Sequence, residues 1–131
     1  MARTETRNGL IIAVAQSVAR QSPLYLPGRD FRGLDLHGLD FTGANFTGAN
    51  FRRANLHGVK FHKADLHRAN FRWADLSEAD LSGAAATGAD FQFALLRWAR
   101  VSGADFAGAD FTDADLYGIE STRAYVTGTK G

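Results

Sequence analysis

The sequence predicts an all-β solenoid: a four-sided coil that closes every 20 residues, stacked five coils high, with a short capping helix at its N-terminal end. Three observations carry this. From Arg29 to Gly128 the chain repeats every five residues, as in Ala44-Asn45-Phe46-Thr47-Gly48 and Ala74-Asp75-Leu76-Ser77-Glu78, for twenty units without an insertion or deletion. The central position of the unit is Phe nine times and Leu seven, the exceptions being Ala86, Val101, Ser121 and Val126. At an offset of 20, like falls on like: positions 31, 51, 71, 91 and 111 are all Phe, and 36, 56, 76, 96 and 116 are all Leu.

A period of five suits neither a helix nor a simple strand. It suits a chain that turns a corner in every unit, with the large central residue and a small partner pointing inward. Ala stands two residues before the centre in fifteen units, Asp or Asn one before it in fourteen, and Gly two after it in eleven. Asp, Asn and Gly are turn formers, and Gly tolerates the positive φ that some turns demand. Four corners close a square. Outside it, positions 40, 60, 80, 100 and 120 read Asp, Lys, Asp, Arg and Glu, an alternating ladder that favours paired strands. A triangular coil would set Asp40 beside Asn55 and lose that ladder. Five coils at about 4.8 Å each stand roughly 24 Å tall.

These units resemble those of the pentapeptide-repeat family, whose motif is Ala, Asp or Asn, Leu or Phe, then two variable residues. The resemblance covers residues 29–128 and implies that family's fold, a right-handed quadrilateral β-helix.

Residues 1–28 precede the repeat and 129–131 follow it as a tail. Leu10, Ile11, Val14 and Val18 fall at helical spacing behind possible N-caps at Thr6 or Asn8, so Asn8 to Arg20 is expected to be a helix whose apolar stripe covers the open first coil. Ser22 to Gly28, with Pro23 and Pro27, reads as an extended connector. A signal peptide is the rival reading, from Arg3 and Arg7, a short apolar stretch, then Ser17-Val18-Ala19. Glu5, Gln16 and the brevity of the apolar stretch argue against it, so the expected location is cytoplasmic. The longest apolar run, Leu10 to Ala15, is too short for a membrane span.

Fifteen Lys and Arg against fourteen Asp and Glu give a net charge of +1, which excludes a protein driven onto nucleic acid by global charge. The chain has no cysteine, which excludes disulfides and thiolate metal sites. His37, His57, His62 and His67 all follow a central residue and point outward on diverging walls, a poor zinc site. Asp30, Asp35, Asp65, Asp75, Asp90, Asp105, Asp110 and Asp115 recur because turns suit them, and a convex prism offers no shared cleft that would push two carboxylate pKa values apart. No catalytic residue, cofactor or metal is expected.

Surface features point instead to binding. Trp73, Phe93 and Trp98 stand where the unit usually has Gly, and Leu95 replaces an outward Asp, giving a candidate protein-binding patch. Arg32, Arg52 and Arg72 stack on one wall with Arg53 beside them, a basic belt around the waist. From 105 to 120 come Asp105, Asp110, Asp113, Asp115 and Glu120 with no base. The first reading is a non-enzymatic module that binds a protein through the aromatic patch. The family resemblance implies a second, a DNA mimic that binds DNA gyrase and protects it from topoisomerase poisons; the basic belt departs from that picture. Direct nucleic-acid binding through the belt is disfavoured, because the flanking Asp residues repel phosphates. At the C-terminal coil Ile119, Tyr125 and Val126 are expected to form the contact of a homodimer, each copy capping the other.

Overall fold

The computed structural model describes residues 5–131. Arg3 and the side chains of Ala15, Val18 and Ala19, all used above, lie outside the described residues. The repeat folds as a coil in which every pentad contributes one parallel bridge to the pentad 20 residues on, from Tyr25 with Asn45 to Asp110 with Lys130. The alternating column is in register, Asp40 beside Lys60, Lys60 beside Asp80, Asp80 beside Arg100 and Arg100 beside Glu120.

One pentad, Ala49 to Arg53, shows why the period is five. The Ala49 N–H closes the corner onto Phe46 O at 2.9 Å. The Asn50 N–H reaches down one coil to Arg29 O (2.9 Å), and Phe51 and Arg53 N–H reach up to Asn70 O (2.7 Å) and Arg72 O (3.0 Å). That leaves the Arg52 N–H, which no backbone carbonyl reaches; it donates to Asn50 Oδ1 at 3.0 Å. The same bond recurs from Thr42 to Asp40, Thr47 to Asn45, Ser77 to Asp75 and Tyr117 to Asp115. Asp or Asn before the centre therefore supplies the fifth acceptor of a unit that would otherwise leave a donor unpaired. In the pentad before Arg29 that position is Tyr25, and the residue needing the acceptor is Pro27, which has no N–H.

The corner is a turn with positive φ at its third residue, as in a type II turn. Gly48 has φ 68° there, and so do its non-glycine counterparts: Arg53 61°, Trp73 61°, Phe93 60° and Trp98 61°.

Inside the square the columns are dry. Phe31, Phe51, Phe71, Phe91 and Phe111 stack with ring centroids 4.8, 5.1, 4.9 and 4.9 Å apart and planes within 14° of parallel. Leu36, Leu56, Leu76 and Leu96 form a second, fully buried column, and Leu116 is partly buried at its end. Phe46 meets Phe31, Phe41, Phe51 and Phe61 edge-on, locking three walls together. The Ala residues fill the corners, all buried from Ala44 to Ala109 except Ala85 and Ala107, which occupy outward positions.

Helix α1 runs Arg7–Arg20, one residue longer at its start than expected. Thr6 caps it, its Oγ1 accepting the Gly9 N–H at 3.1 Å. It ends where Gln21 turns to φ 54° and the Ser22 N–H returns to Ser17 O at 3.1 Å, with Pro23 following. Leu10 is buried in the core and Val14 packs against it. Arg7 Nη1 donates to Asp35 O at 2.6 Å, and Glu5 binds Asp30 O through its N–H (3.0 Å) and Arg29 through its carboxylate (2.6 Å).

Three expectations need correction. Ile11 is not on the buried stripe; with Ile12 it faces outward, because Leu10 and Val14 already fill the space over the first coil. The stretch 24–28 is not only a connector: Leu26 and Gly28 donate to Asn45 O and Thr47 O at 2.8 Å, so pairing starts one pentad before Arg29. At the other end Lys130 pairs with the strand at Asp110, and the 129–131 tail continues the coil. Both segments escape the motif because Tyr25 and Lys130 stand where it has Asp or Asn, yet their backbone donors and acceptors remain in register.

The Phe column generates a direct test. Phe71→Ala removes a ring held between two stacked neighbours and is expected to cost about 3–5 kcal/mol in urea unfolding. A loss under about 1 kcal/mol would be inconsistent with this interior.

Candidate functional site

The outward surface departs from the motif most on the wall spanning residues 93–98 and its two corners. At one corner Trp73 and Phe93 stack face to face, centroids 4.4 Å apart and planes 6° from parallel, with the Arg53 guanidinium 5.6 Å from the Trp73 ring centre on its other side. At the next corner Trp98 meets Tyr117 edge-on at 5.3 Å and lies across Gly118. The Arg97 guanidinium sits 5.6 Å from the Tyr117 ring centre and binds Asp115 Oδ2 at 2.5 Å. That bond, with the Tyr117 N–H, holds the Asp115 carboxyl below the usual carboxylate range and raises Arg97. Leu95 stands between the two corners, bridged to Asp75 below and Asp115 above.

The candidate patch is thus two ring clusters flanking Leu95. Trp73, Leu95 and Trp98 are 46%, 44% and 58% exposed, and Phe93 is half-buried above Trp73. Tyr117, 64% exposed, belongs to the surface and was missed. The signal was in the register: Tyr117 falls one coil above Arg97, beside the corner of Trp98.

These residues are costly to the fold. An L-residue in the left-handed region costs roughly 1–2 kcal/mol, and Trp73, Phe93 and Trp98 all bear that cost at corners where Gly would not. Leu95 supplies no acceptor for the Arg97 N–H, which the motif would satisfy with Asp or Asn.

The belt residues lie on the adjoining wall. Arg32 clamps Asp30 in a fork, Nε to Oδ1 at 3.0 Å and Nη2 to Oδ2 at 2.8 Å, and together with the Arg32 N–H this lowers the Asp30 pKa. Arg72 Nη1 lies 3.8 Å from Asp90, and Arg72 Nε is buried with no hydrogen-bond partner. Asp30, Arg32, Gly33, Arg52 and Arg53 line an open groove of about 490 Å³.

The third expected set is only partly brought together. Ile119 and Val126 line an apolar hollow of about 240 Å³ with Phe106, Phe111 and Leu116. Tyr125 is exposed on the outer surface and does not line it, because its position is the outward one that bridges Asp105. The C-terminal acids are also less bare than their run implies: Asp110 pairs its strand with Lys130, Arg97 holds Asp115, and Glu120 stands beside Arg100.

The histidines bind single carboxylates: His37 to Asp35 at 2.6 Å, His67 to Asp65 at 2.5 Å, and His57 to Glu78 at 3.7 Å. Among the described residues no three His, Asp or Glu side chains converge as a metal site, and no helix is long and apolar enough to cross a membrane.

A surface kept at the fold's expense has a stability signature. Leu95→Asn restores the missing acceptor without setting a third carboxylate between Asp75 and Asp115, and is expected to raise stability by about 0.5–1 kcal/mol. Trp73→Gly and Trp98→Gly exchange ring contacts for a relaxed corner and are expected to stay within about 1 kcal/mol of the parent. Thermal melting reads all three; losses of about 3 kcal/mol or more would make these rings structural.

Comparison with known proteins follows this geometry. The sequence profile of the family described as pentapeptide repeats matches residues 30–68, 64–100 and 89–119, in eight copies. No curated protein matches the chain. A pentapeptide repeat protein from the thylakoid lumen of Arabidopsis thaliana is 36% identical over 67% of this chain, with a TM-score of 0.56; the chain spans 65% of that protein's length. HetL from Nostoc, a pentapeptide repeat protein involved in heterocyst differentiation regulation, is 23% identical over 83% of this chain and 73% of its own, with a TM-score of 0.54. QnrB1, a plasmid-mediated fluoroquinolone resistance protein, is 20% identical over 81% of this chain and 68% of its own, with a TM-score of 0.57. The last two likenesses are of fold. Twenty-residue coils, the Asp or Asn acceptor of each corner, the stacked Phe interior and the matched profile together make this chain a member of the pentapeptide-repeat family.

Proposed function

We propose that this chain is a non-enzymatic, rigid protein-binding module whose partner docks on the wall carrying Trp73, Phe93, Leu95 and Trp98, with Tyr117 completing it. One observation carries the reading: three aromatic side chains are held in the left-handed backbone region, two of them, Trp73 and Trp98, 46% and 58% exposed, where glycine would relieve the fold. Strain of that kind persists where something other than stability retains it. Trp, Tyr and Arg are also the residues in which interface energy concentrates. Helix α1 acts in this reading as the cap of the first coil, keeping the prism monodisperse at that end. A cytoplasmic location accompanies it.

The test is comparative. The parent and a variant with Trp73, Phe93 and Trp98 all replaced by Gly are immobilised side by side. A partner held by the parent and lost by the variant, at matched melting temperature, is the expected outcome; equal retention would overturn the reading. A gyrase supercoiling assay with added protein belongs to the same test. Protection from a fluoroquinolone would favour the second reading, a DNA mimic acting on gyrase, which rests on the fold shared with QnrB1 and on the acids from Asp105 to Glu120. The bases Arg97, Arg100 and Lys130 that stand beside those acids in the neighbouring coils weigh against it.

A homodimer through the C-terminal coils completes the proposal. The apolar hollow lined by Ile119 and Val126 is the surface that a second copy would cover. The neighbouring acids repel across such a contact, so it is expected to tighten with salt. Light scattering at low and high salt reads this, and a monomer under both conditions would remove the dimer.

A further inference from the structure

We infer that the partner segment is acidic, an extended, carboxylate-rich stretch of peptide that lies along the corner from the Arg52–Arg53 groove to Trp73 and Phe93. The inference deepens the docking reading above and rests on it.

The corner column reads Gly33, Arg53, Trp73, Phe93, one residue per coil. Three steps of about 4.8 Å make a track of roughly 14 Å, the reach of four or five extended residues. Its lower end is the open groove of about 490 Å³ beside Gly33, where three guanidinium groups face one carboxylate. Asp30 occupies Arg32 alone, which leaves the charges of Arg52 and Arg53 uncompensated by any ion pair among the described residues.

The ring geometry extends the positive character upward. Both faces of Trp73 are taken, one by Arg53 and one by Phe93, so Trp73 presents only its edges. Ring edges carry the positive end of the aromatic quadrupole and attract carboxylates. The Trp73 indole N–H makes no hydrogen bond among the described residues and is a further donor. Charge complementarity therefore selects an anionic occupant along the whole track.

The same geometry disfavours a nucleic acid. Single strands bind by stacking bases on open aromatic faces, and Trp73 has none to offer. A duplex needs a longer phosphate-facing surface, whereas Asp30 and Asp90 bracket these arginines within three coils. A short acidic peptide fits between the flanking acids.

The experiment uses the full chain and a fluorescein-labelled polyglutamate peptide, read by anisotropy. Binding at low salt that fades as salt is raised is expected. Arg52→Glu with Arg53→Glu is expected to weaken it by about tenfold or more. Glu78, at φ 60°, shows that this backbone accepts Glu at the Arg53 position, and melting curves confirm that the variant is folded. Arg123→Glu, on another corner, is expected to leave binding unchanged. No binding of the peptide, equal loss with Arg123→Glu, or tighter binding of a labelled oligothymidylate would each overturn the inference. Should the triple Gly variant lose a protein partner that the Arg52 and Arg53 variant keeps, the docking reading stands and the acidic segment falls.

Discussion

The fate of one backbone N–H in five governs this molecule. In a pentad with coils on both sides four amides find carbonyls in the corner or in adjacent coils, and the fifth finds an acceptor only where the side chain two residues earlier supplies one. Asp and Asn are the residues short enough to turn an oxygen back onto that amide. Once this local bond forms, the corner is set, the next pentad starts in the same orientation, and the ladder repeats at a 20-residue offset. An inserted residue would move every later donor away from its acceptor, which accounts for the unbroken count of pentads.

The interior follows from that register. Because coils stack without lateral shift, each central side chain lies directly on its counterpart, and flat Phe rings stack at about the coil spacing. The Asp residues that fill the motif are consumed by the same bonds. Asp110 is held below the usual carboxylate range by the Thr112 hydroxyl and amide; at Asp80 burial pushes the pKa upward, and Ser82's hydroxyl and amide outweigh it. The lowered pKa keeps these carboxylates ionised, so the corner engages their oxygens while their negative charge remains at the surface.

A scaffold this regular makes its exceptions informative. A corner accepts Gly without strain, yet nine described pentads carry another residue there, three of them aromatic. The polar ones spread around the prism. The aromatic ones gather on neighbouring corners of successive coils, next to the only Leu that takes the acceptor position. Local preference and the retained side chain disagree most on this wall, which is where function rather than folding is expected to set the sequence. The basic groove adjoins it, so apolar and electropositive character run together along one edge.

The period, the interior columns, the square register and the alternating Asp, Lys and Arg ladder were all readable in the chain, because each depends on spacing alone and the spacing never breaks. Tyr25 and Lys130 were not readable as ladder members, since a parallel bridge uses backbone atoms that any residue carries and the motif marks only the side-chain acceptor. Ile11 was misplaced because a helical stripe fixes which residues share a face, while the shape of the coil beneath decides how wide a face is buried. The aromatic patch was legible as a list of residues that break the motif. How the rings lean, Trp73 onto Phe93 with Arg53 behind and Trp98 across Gly118 against Tyr117, was decided by side-chain rotamers packing between coils, which no spacing encodes.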